Sequence, residues 1–158
     1  MDESVIVEGI FLFFLLLLSG LFSASETALT SLGKFRIKHL QQVMPLRAKI
    51  LSHWLEDPHR ILTTILVGNN LVNISASTLA ASVSMRFARS RGFTDARAMG
   101  ISIGVMTFII LVFGEIVPKI YAQQRPEKLA FFSLRLMRFL SVVFYPLVKL
   151  LTFISKGV

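Results

Sequence analysis

The sequence predicts an all-α membrane protein with three transmembrane helices and cytoplasmic juxtamembrane amphipathic helices. Only 16% of its 158 residues are charged and 54% are hydrophobic, whereas soluble domains are roughly 25% charged. Three runs lack Asp, Glu, Lys and Arg, and each is about as long as a bilayer crossing requires: residues 9–25, 61–85 and 98–114. We therefore predict spans at about 5–31, 59–85 and 98–121.

A cleaved signal peptide is the competing interpretation of the first apolar run. Signal peptides begin with a basic segment. This chain begins Met1-Asp2-Glu3-Ser4, which is acidic. The run is therefore assigned to a transmembrane helix.

The Lys and Arg residues are distributed unevenly along the chain. None precedes the first span, six lie in residues 34–60 and seven in residues 119–156. Lys and Arg in short loops favour the cytoplasmic side, so we predict an N-terminus outside and a C-terminus in the cytoplasm. We expect the membrane to be the plasma membrane. The four arginines between the second and third spans lie outside in this topology, but thirteen against four still favours it. The same distribution points to membrane lipids, and not to nucleic acid, as the partners behind the net charge of +8.

Two connecting segments have the pattern of helices that lie against lipid headgroups. The first, at about 34–56, is basic with an apolar face. The second, at about 126–156, carries five basic residues within an arc of about 80° on an otherwise apolar helix: Lys128, Arg135, Arg138, Lys149 and Lys156.

Polar side chains recur at helical spacing on the first two spans. On the first span they are separated by four, three and four positions: Ser19, Ser23, Glu26 and Thr30. On the second they are separated by seven, three, four and seven positions: Thr63, Asn70, Asn73, Ser77 and Ser84. Each set shares one helical face, and Asn69 falls about 100° from the second set.

The third span ends in Gly114-Glu115-Ile116-Val117-Pro118-Lys119. A carboxylate at this depth is costly and commonly marks an ion path, a proton relay or a paired charge. Pro118 has no N–H, so the Gly114 carbonyl loses its helical partner. A free carbonyl beside the Glu115 carboxylate predicts part of a site for a hard cation.

The three spans together offer only oxygen ligands, from serine hydroxyls, from Asn70 and Asn73, from the Gly114 carbonyl and from Glu115. Oxygen ligands suit Mg²⁺ or Ca²⁺, whereas Zn²⁺ and copper prefer nitrogen and sulfur. The chain has no cysteine, and its three histidines lack the spacing of a ligand set: His39, His53 and His59. No catalytic triad order, HExxH motif or phosphate-binding loop is present, so we do not expect an enzyme.

Simpler interpretations exist for each feature. Serine and asparagine stripes in membrane helices often serve only to bond helix to helix, with about 0.5–2 kcal/mol each. Glu115 has Lys119 four residues further on, a spacing that allows an ion pair. Glu26 is close enough to Lys34 to be an interfacial residue. The coincidence of two polar stripes with a Gly-Glu-x-x-Pro break favours the cation site.

Three segments resemble, in order and spacing, the transmembrane domain of the CNNM/CorB/CorC family: residues 21–29 (LFSASETAL), 68–73 (GNNLVN) and 114–119 (GEIVPK). The resemblance covers essentially the whole chain. It implies a homodimer of three-span subunits with a juxtamembrane helical belt, acting in Mg²⁺ export with or without coupling to Na⁺ influx. It also implies ion ligands, most directly Ser23, Asn70, Gly114 and Glu115, with Ser25 and Asn73 as additions.

The chain departs from the family pattern in one respect, and one implied pair of ligands is in tension with helix geometry. Family members normally continue into cytoplasmic CBS domains that bind ATP, and this chain ends before them, so we expect it to be the transmembrane portion of a longer protein. Ser23 and Ser25 also lie about 200° apart on a straight helix. Both reach one ion only if the first helix is distorted, for which Gly20 leaves room, or if a backbone carbonyl takes part.

The leading hypothesis is a Mg²⁺ transporter. The ion enters from the cytoplasm, and Ser23, Asn70, Glu115 and the Gly114 carbonyl hold it before alternating access releases it. Glu26 lines the cytoplasmic opening or a Na⁺ site. The alternatives are a Mg²⁺-sensing dimeric membrane anchor that regulates another transporter, and a structural scaffold that binds no Mg²⁺.

Overall fold

The computed structural model describes residues 3–44, 51, 54–92, 96–146 and 149, and the regular secondary structure of these residues is all helical. No strand occurs among these residues, and the all-α prediction is confirmed. The elements in chain order are α1 (Glu3–Ser31), α2 (Lys34–Val43), α3 (Pro58–Ser90), α4 (Ala96–Leu111), a π-helical turn (Val112–Ile116), α5 (Val117–Gln124) and α6 (Pro126–Val143).

Within the described residues, two segments are long and apolar enough to cross a membrane, Ile6–Ser31 in α1 and Met99–Gln124 across α4, the π turn and α5. In their most apolar stretches only 28% and 11% of the residues are buried. Their outer surfaces carry exposed side chains such as Phe11, Phe14 and Phe108, as lipid-facing helices do and core helices of soluble proteins do not. The prediction of a membrane protein is confirmed.

The helix predicted as the middle span is α3. Its 33 residues make it about 50 Å long at 1.5 Å per residue, more than a bilayer core requires. It is more polar than the other two segments, and none of its stretches is as apolar as the most apolar stretch of either. A third crossing is therefore a prediction that rests on length and on the charge-free run at 61–85.

Helix α1 packs against α3, the π turn, α5 and α6. Gly68 of α3 shows how closely two of these helices approach, because a Cβ added there would lie 2.4 Å from the ring of Phe22 on α1. Phe22 is 3% exposed, so the absent side chain of Gly68 is what lets the ring seat against α3. Small residues allow membrane helices this kind of contact.

The predicted juxtamembrane helices are partly described. The first begins as α2 and ends at Val43, while part of the predicted stretch to residue 56 lies outside the described residues. The second is α6, whose Ala130, Leu134 and Met137 are buried while Arg135 and Arg138 are exposed. The predicted continuation to residue 156, which includes Lys156, lies outside the described residues except for the exposed Lys149.

Ion pairs join helices at both ends of α1. At one end the Arg86 guanidinium of α3 pairs with Glu8, whose Oε2 is buried and has no hydrogen-bond partner. Beyond the other end, Arg36 of α2 contacts Glu127 of α6 at 2.5 Å. Arg86 is one of the four arginines that count against the predicted topology, and Glu8 balances its charge.

Candidate cation site

The third apolar helix is interrupted by a single π-helical turn, Val112–Ile116. The Val117 N–H donates to the Val112 carbonyl, five residues back. Pro118 follows directly and has no N–H to donate. The break predicted from Gly114 and Pro118 therefore takes the form of a π turn, a feature often found at functional sites.

Three oxygens from three helical segments meet at this turn. The Ser19 Oγ of α1 lies 3.1 Å from the Gly114 carbonyl oxygen and 2.6 Å from Asn73 Oδ1 of α3. A hydroxyl has one hydrogen, so Ser19 donates to one of these acceptors at a time. The other acceptor is then available to a different positive group. We call Ser19 Oγ, Asn73 Oδ1 and Gly114 O the oxygen cluster.

The oxygen cluster depends on glycine at position 114. A Cβ added there would lie 3.1 Å from Ser19 Oγ and 3.1 Å from Leu16 Cδ1. These contacts are tight enough that the side chains of Leu16 and Ser19 on α1 would have to shift. Gly20, the residue after Ser19 on α1, makes a similar approach, because an added Cβ would lie 3.1 Å from Pro118 Cγ.

Ser19 is the residue that the list of sequence-predicted ligands missed. It is buried, at 1% exposure, and contacts both other members of the oxygen cluster. The signal was present, because Ser19 begins the polar face that includes Ser23 and Glu26. Position on that face does not reveal which hydroxyl meets the third helix.

The structure distinguishes two neighbouring asparagines on α3. Ser23 Oγ lies 3.4 Å from Asn69 Oδ1, and both side chains are buried. Asn70 is exposed in the single chain. Asn69 faces α1 because it lies four residues after Ile65 and three before Val72, both of which are buried. The assignment of Asn70 as a ligand stays a prediction, and in this structure Asn69 is the asparagine beside Ser23.

Ser25 makes a local bond. Its hydroxyl donates to the Leu21 carbonyl at 2.6 Å, one turn back in the same helix. The sequence requires a distorted first helix if Ser23 and Ser25 are to share an ion, but α1 is a regular α-helix throughout. The distortion lies in the third helix instead, and the assignment of Ser25 as a ligand remains untested.

Two carboxylates and one ammonium form a charged group that includes Glu115, the residue directly after Gly114. Lys119 Nζ is 2.8 Å from Glu115 Oε1 and 3.8 Å from Glu26 Oε2. The pair between Glu115 and Lys119 weighed from the sequence is therefore present. It is joined by Glu26 of α1, and the three groups together carry a formal charge of −1. About a third of each side chain is exposed.

The donor set suits a hard cation. Among the described residues, no group of three or more His, Cys, Asp and Glu side chains lies close enough to hold a metal ion. A cation at this turn would therefore be bound mainly by hydroxyl, amide and carbonyl oxygens, with Glu115 adjoining Gly114. Mg²⁺ and Ca²⁺ accept such ligands, whereas Zn²⁺ and copper favour nitrogen and sulfur.

The fold and site together define a helical membrane protein whose helices meet at a partly buried cluster of oxygens. Comparison with known families agrees with this class, because the profile of the Cyclin M transmembrane N-terminal domain, CNNM, matches residues 10–158. The chain belongs to the CNNM family. The family predicted from the three sequence motifs is thereby confirmed.

Several relatives share the match. A UPF0053 protein of Haemophilus influenzae is 42% identical over 94% of this chain and 34% of its own length. The UPF0053 inner membrane protein YfjD of Escherichia coli is 39% identical over 88% of this chain and 31% of its own length. A chloroplastic DUF21 domain-containing protein of Arabidopsis thaliana is 32% identical over 96% of this chain and 22% of its own length. The chain thus spans about a third or less of these relatives.

Proposed function

We propose that this chain is the ion-translocating domain of a CNNM-type transporter that carries Mg²⁺ across the membrane. The observation that carries the proposal is the oxygen cluster, in which Ser19, Asn73 and Gly114 from three helical segments meet at the π turn. Glu115 follows Gly114 directly, so a carboxyl residue lies on the same π turn as the Gly114 carbonyl. Family membership supports the same role.

The proposed topology has three spans, α1, α3 and α4 to α5, with the N-terminus outside and the C-terminus in the cytoplasm. It is supported by the Lys and Arg distribution and by the Glu8–Arg86 pair, which joins α1 and α3 at the end predicted to lie outside. The working unit is a homodimer in the plasma membrane, in contact with lipids. In the full-length protein we expect CBS domains to follow on the cytoplasmic side.

In the proposed mechanism Mg²⁺ loads from the cytoplasmic side. Mg²⁺ gives up its waters reluctantly, so the site must replace several of them at once. The oxygen cluster supplies neutral ligands together with Ser23 and the predicted Asn70, and Glu115 supplies the charge that offsets dehydration. Rearrangement of the helices then opens the site to the other side, with Na⁺ influx as a candidate driving force and Glu26 at the cytoplasmic opening.

The test is Mg²⁺ flux from proteoliposomes that contain the full-length protein. We expect Glu115→Ala to lower the flux at least about 100-fold, because the dehydrated ion loses its compensating charge. Ser19→Ala should lower it about tenfold. The matched control is Ser75→Ala, because the Ser75 hydroxyl donates only to the Leu71 carbonyl of its own helix.

Flux of Glu115→Ala equal to that of the wild type would contradict the transport mechanism. Mg²⁺ binding without flux would favour the alternative, a Mg²⁺-sensing dimeric anchor that regulates another transporter. A protein that binds no Mg²⁺ would be the structural scaffold. Calorimetric titration beside the flux assay separates the three outcomes.

A further inference from the structure

Lys119 is the cationic partner of Glu115 in this structure. Its ammonium is 2.8 Å from Glu115 Oε1 and 3.8 Å from Glu26 Oε2. In the described part of the chain neither carboxylate has another ion-pair partner. The two negative charges therefore share one positive charge, and that charge is attached to the protein.

A bound divalent cation and the Lys119 ammonium cannot both use Glu115. The ammonium has three donors and no acceptor, so it cannot act as a ligand to the ion. A divalent cation on the same carboxylate would also repel it strongly at this distance. Binding of the ion therefore requires that the ammonium leave Glu115.

Glu26 is an alternative ion-pair partner for the displaced ammonium. Its Oε2 is already within 4 Å of the lysine nitrogen, and lysine has a flexible four-carbon stem. Rotation of this side chain exchanges Glu115 for Glu26 as the direct partner, and no charge has to cross the membrane interior. Glu26 lies on α1 and Lys119 on α5, so the exchange also changes the link between these two helices.

We propose that Lys119 is a tethered competitor of the transported cation. Its ammonium holds Glu115 when no divalent cation is bound, and it moves to Glu26 when the cation binds. The inference rests on the proposed function and assigns Lys119 the control of affinity at that site. If the ammonium holds Glu115 in about nine molecules of ten, the apparent affinity for the cation is about tenfold below its intrinsic value. A weakened affinity of this kind lets a transporter release its ion.

The experiment is calorimetric titration of the purified full-length protein with Mg²⁺. We expect Lys119→Met to bind Mg²⁺ about tenfold more tightly than the wild type and to transport it more slowly. Lys119→Arg keeps the competing charge and forms oriented bonds to a carboxylate, so it should bind Mg²⁺ no more tightly than the wild type. Glu26→Gln removes the alternative partner and should weaken binding about threefold or more. A loss of structure would weaken binding in every variant, so tighter binding by Lys119→Met is diagnostic.

Lys119→Met that binds Mg²⁺ no more tightly than the wild type would overturn the proposal. If this variant does not fold, Glu26→Gln decides, and unchanged binding there would also overturn it. Wild-type protein that neither binds nor transports Mg²⁺ would remove the proposed function and this inference together. Wild-type protein that does both, with unchanged variants, would remove only the inference.

Discussion

The two ends of α1 differ in how the charge of a carboxylate is balanced by neighbouring basic side chains. Glu8 at one end has a single arginine partner. At the other end, about 27 Å away along the helix axis, Glu26 and Glu115 share Lys119. We call these the Glu8 end and the Glu115 end. The Glu8–Arg86 pair at the Glu8 end is electrically neutral, and the group of Glu26, Glu115 and Lys119 at the Glu115 end retains one negative charge.

The difference in partner matters as much as the difference in charge. The guanidinium of Arg86 is planar and forms oriented bonds to a carboxylate, whereas the ammonium of Lys119 is a point charge on a flexible stem. The Glu8 end is therefore suited to hold α1 and α3 together. The Glu115 end is suited to exchange one cation for another.

The largest effect at the Glu115 end is expected from a substitution of Gly114. The variant Gly114→Ala places a methyl group 3.1 Å from Ser19 Oγ, so we expect the oxygen cluster to open. Mg²⁺ affinity should fall about tenfold and the free energy of unfolding by about 1–3 kcal/mol. Calorimetric titration and thermal unfolding of the full-length protein measure the two effects.

The matched control lies at the Glu8 end. A Cβ at Gly9 would meet nothing within 4 Å, so Gly9→Ala should leave Mg²⁺ affinity unchanged. Equal loss of affinity in both variants would mean that glycine matters for helix flexibility and not for the spacing of the oxygen cluster.

A second test removes the charge partner at the Glu8 end. Arg86→Gln leaves Glu8 unpaired, and we expect the free energy of unfolding to fall by about 1–2 kcal/mol, between the values for exposed and buried pairs. Mg²⁺ affinity should stay within about twofold. Arg89→Gln is the control, because Arg89 is exposed and close in sequence on the same helix. Weaker Mg²⁺ binding by Arg86→Gln at unchanged stability would make the Glu8 end part of the ion path.

The smallest expected effects concern two adjacent asparagines of α3 and test which face of this helix is turned towards α1. Asn69→Ala should lower the free energy of unfolding by about 1 kcal/mol, because the buried Ser23 hydroxyl loses its neighbour. Asn70→Ala should change it by less than about 0.5 kcal/mol, because Asn70 is exposed. Thermal unfolding of both variants checks this, and the reverse order would contradict the orientation of α3. The Mg²⁺ affinity of Asn70→Ala tests the ligand role that the family resemblance implies.

Local chemistry explains which parts of the site were predictable. Pro118 lies within a long apolar segment and has no N–H, so the break at Gly114 and Glu115 followed from the sequence. The pair between Glu115 and Lys119 followed from their spacing alone. The fold class and the polar face of α1 followed from composition and from the helical repeat.

Contacts between helices explain the rest. Asn69 and Asn70 are adjacent, and the seating of Phe22 against Gly68 contributes to orienting α3 towards α1. Ser19 matters because the π turn brings a carbonyl to it. Glu26 reaches Lys119 only once α1 and α5 are placed side by side. No spacing within one helix contains this information.

The π turn also determines the direction in which every later side chain of this helical segment points around the helix axis. A single π turn holds one residue more than the hydrogen-bonding pattern of an α-helix allows, and each residue turns a helix by about 100°. Lys119 and Pro118 therefore face α1 because of one additional residue upstream. Deletion of one residue within 112–116 would leave the composition of this segment almost unchanged. It would nevertheless turn the lysine away from Glu26, so the count of residues in this turn is as much a part of the site as their identity.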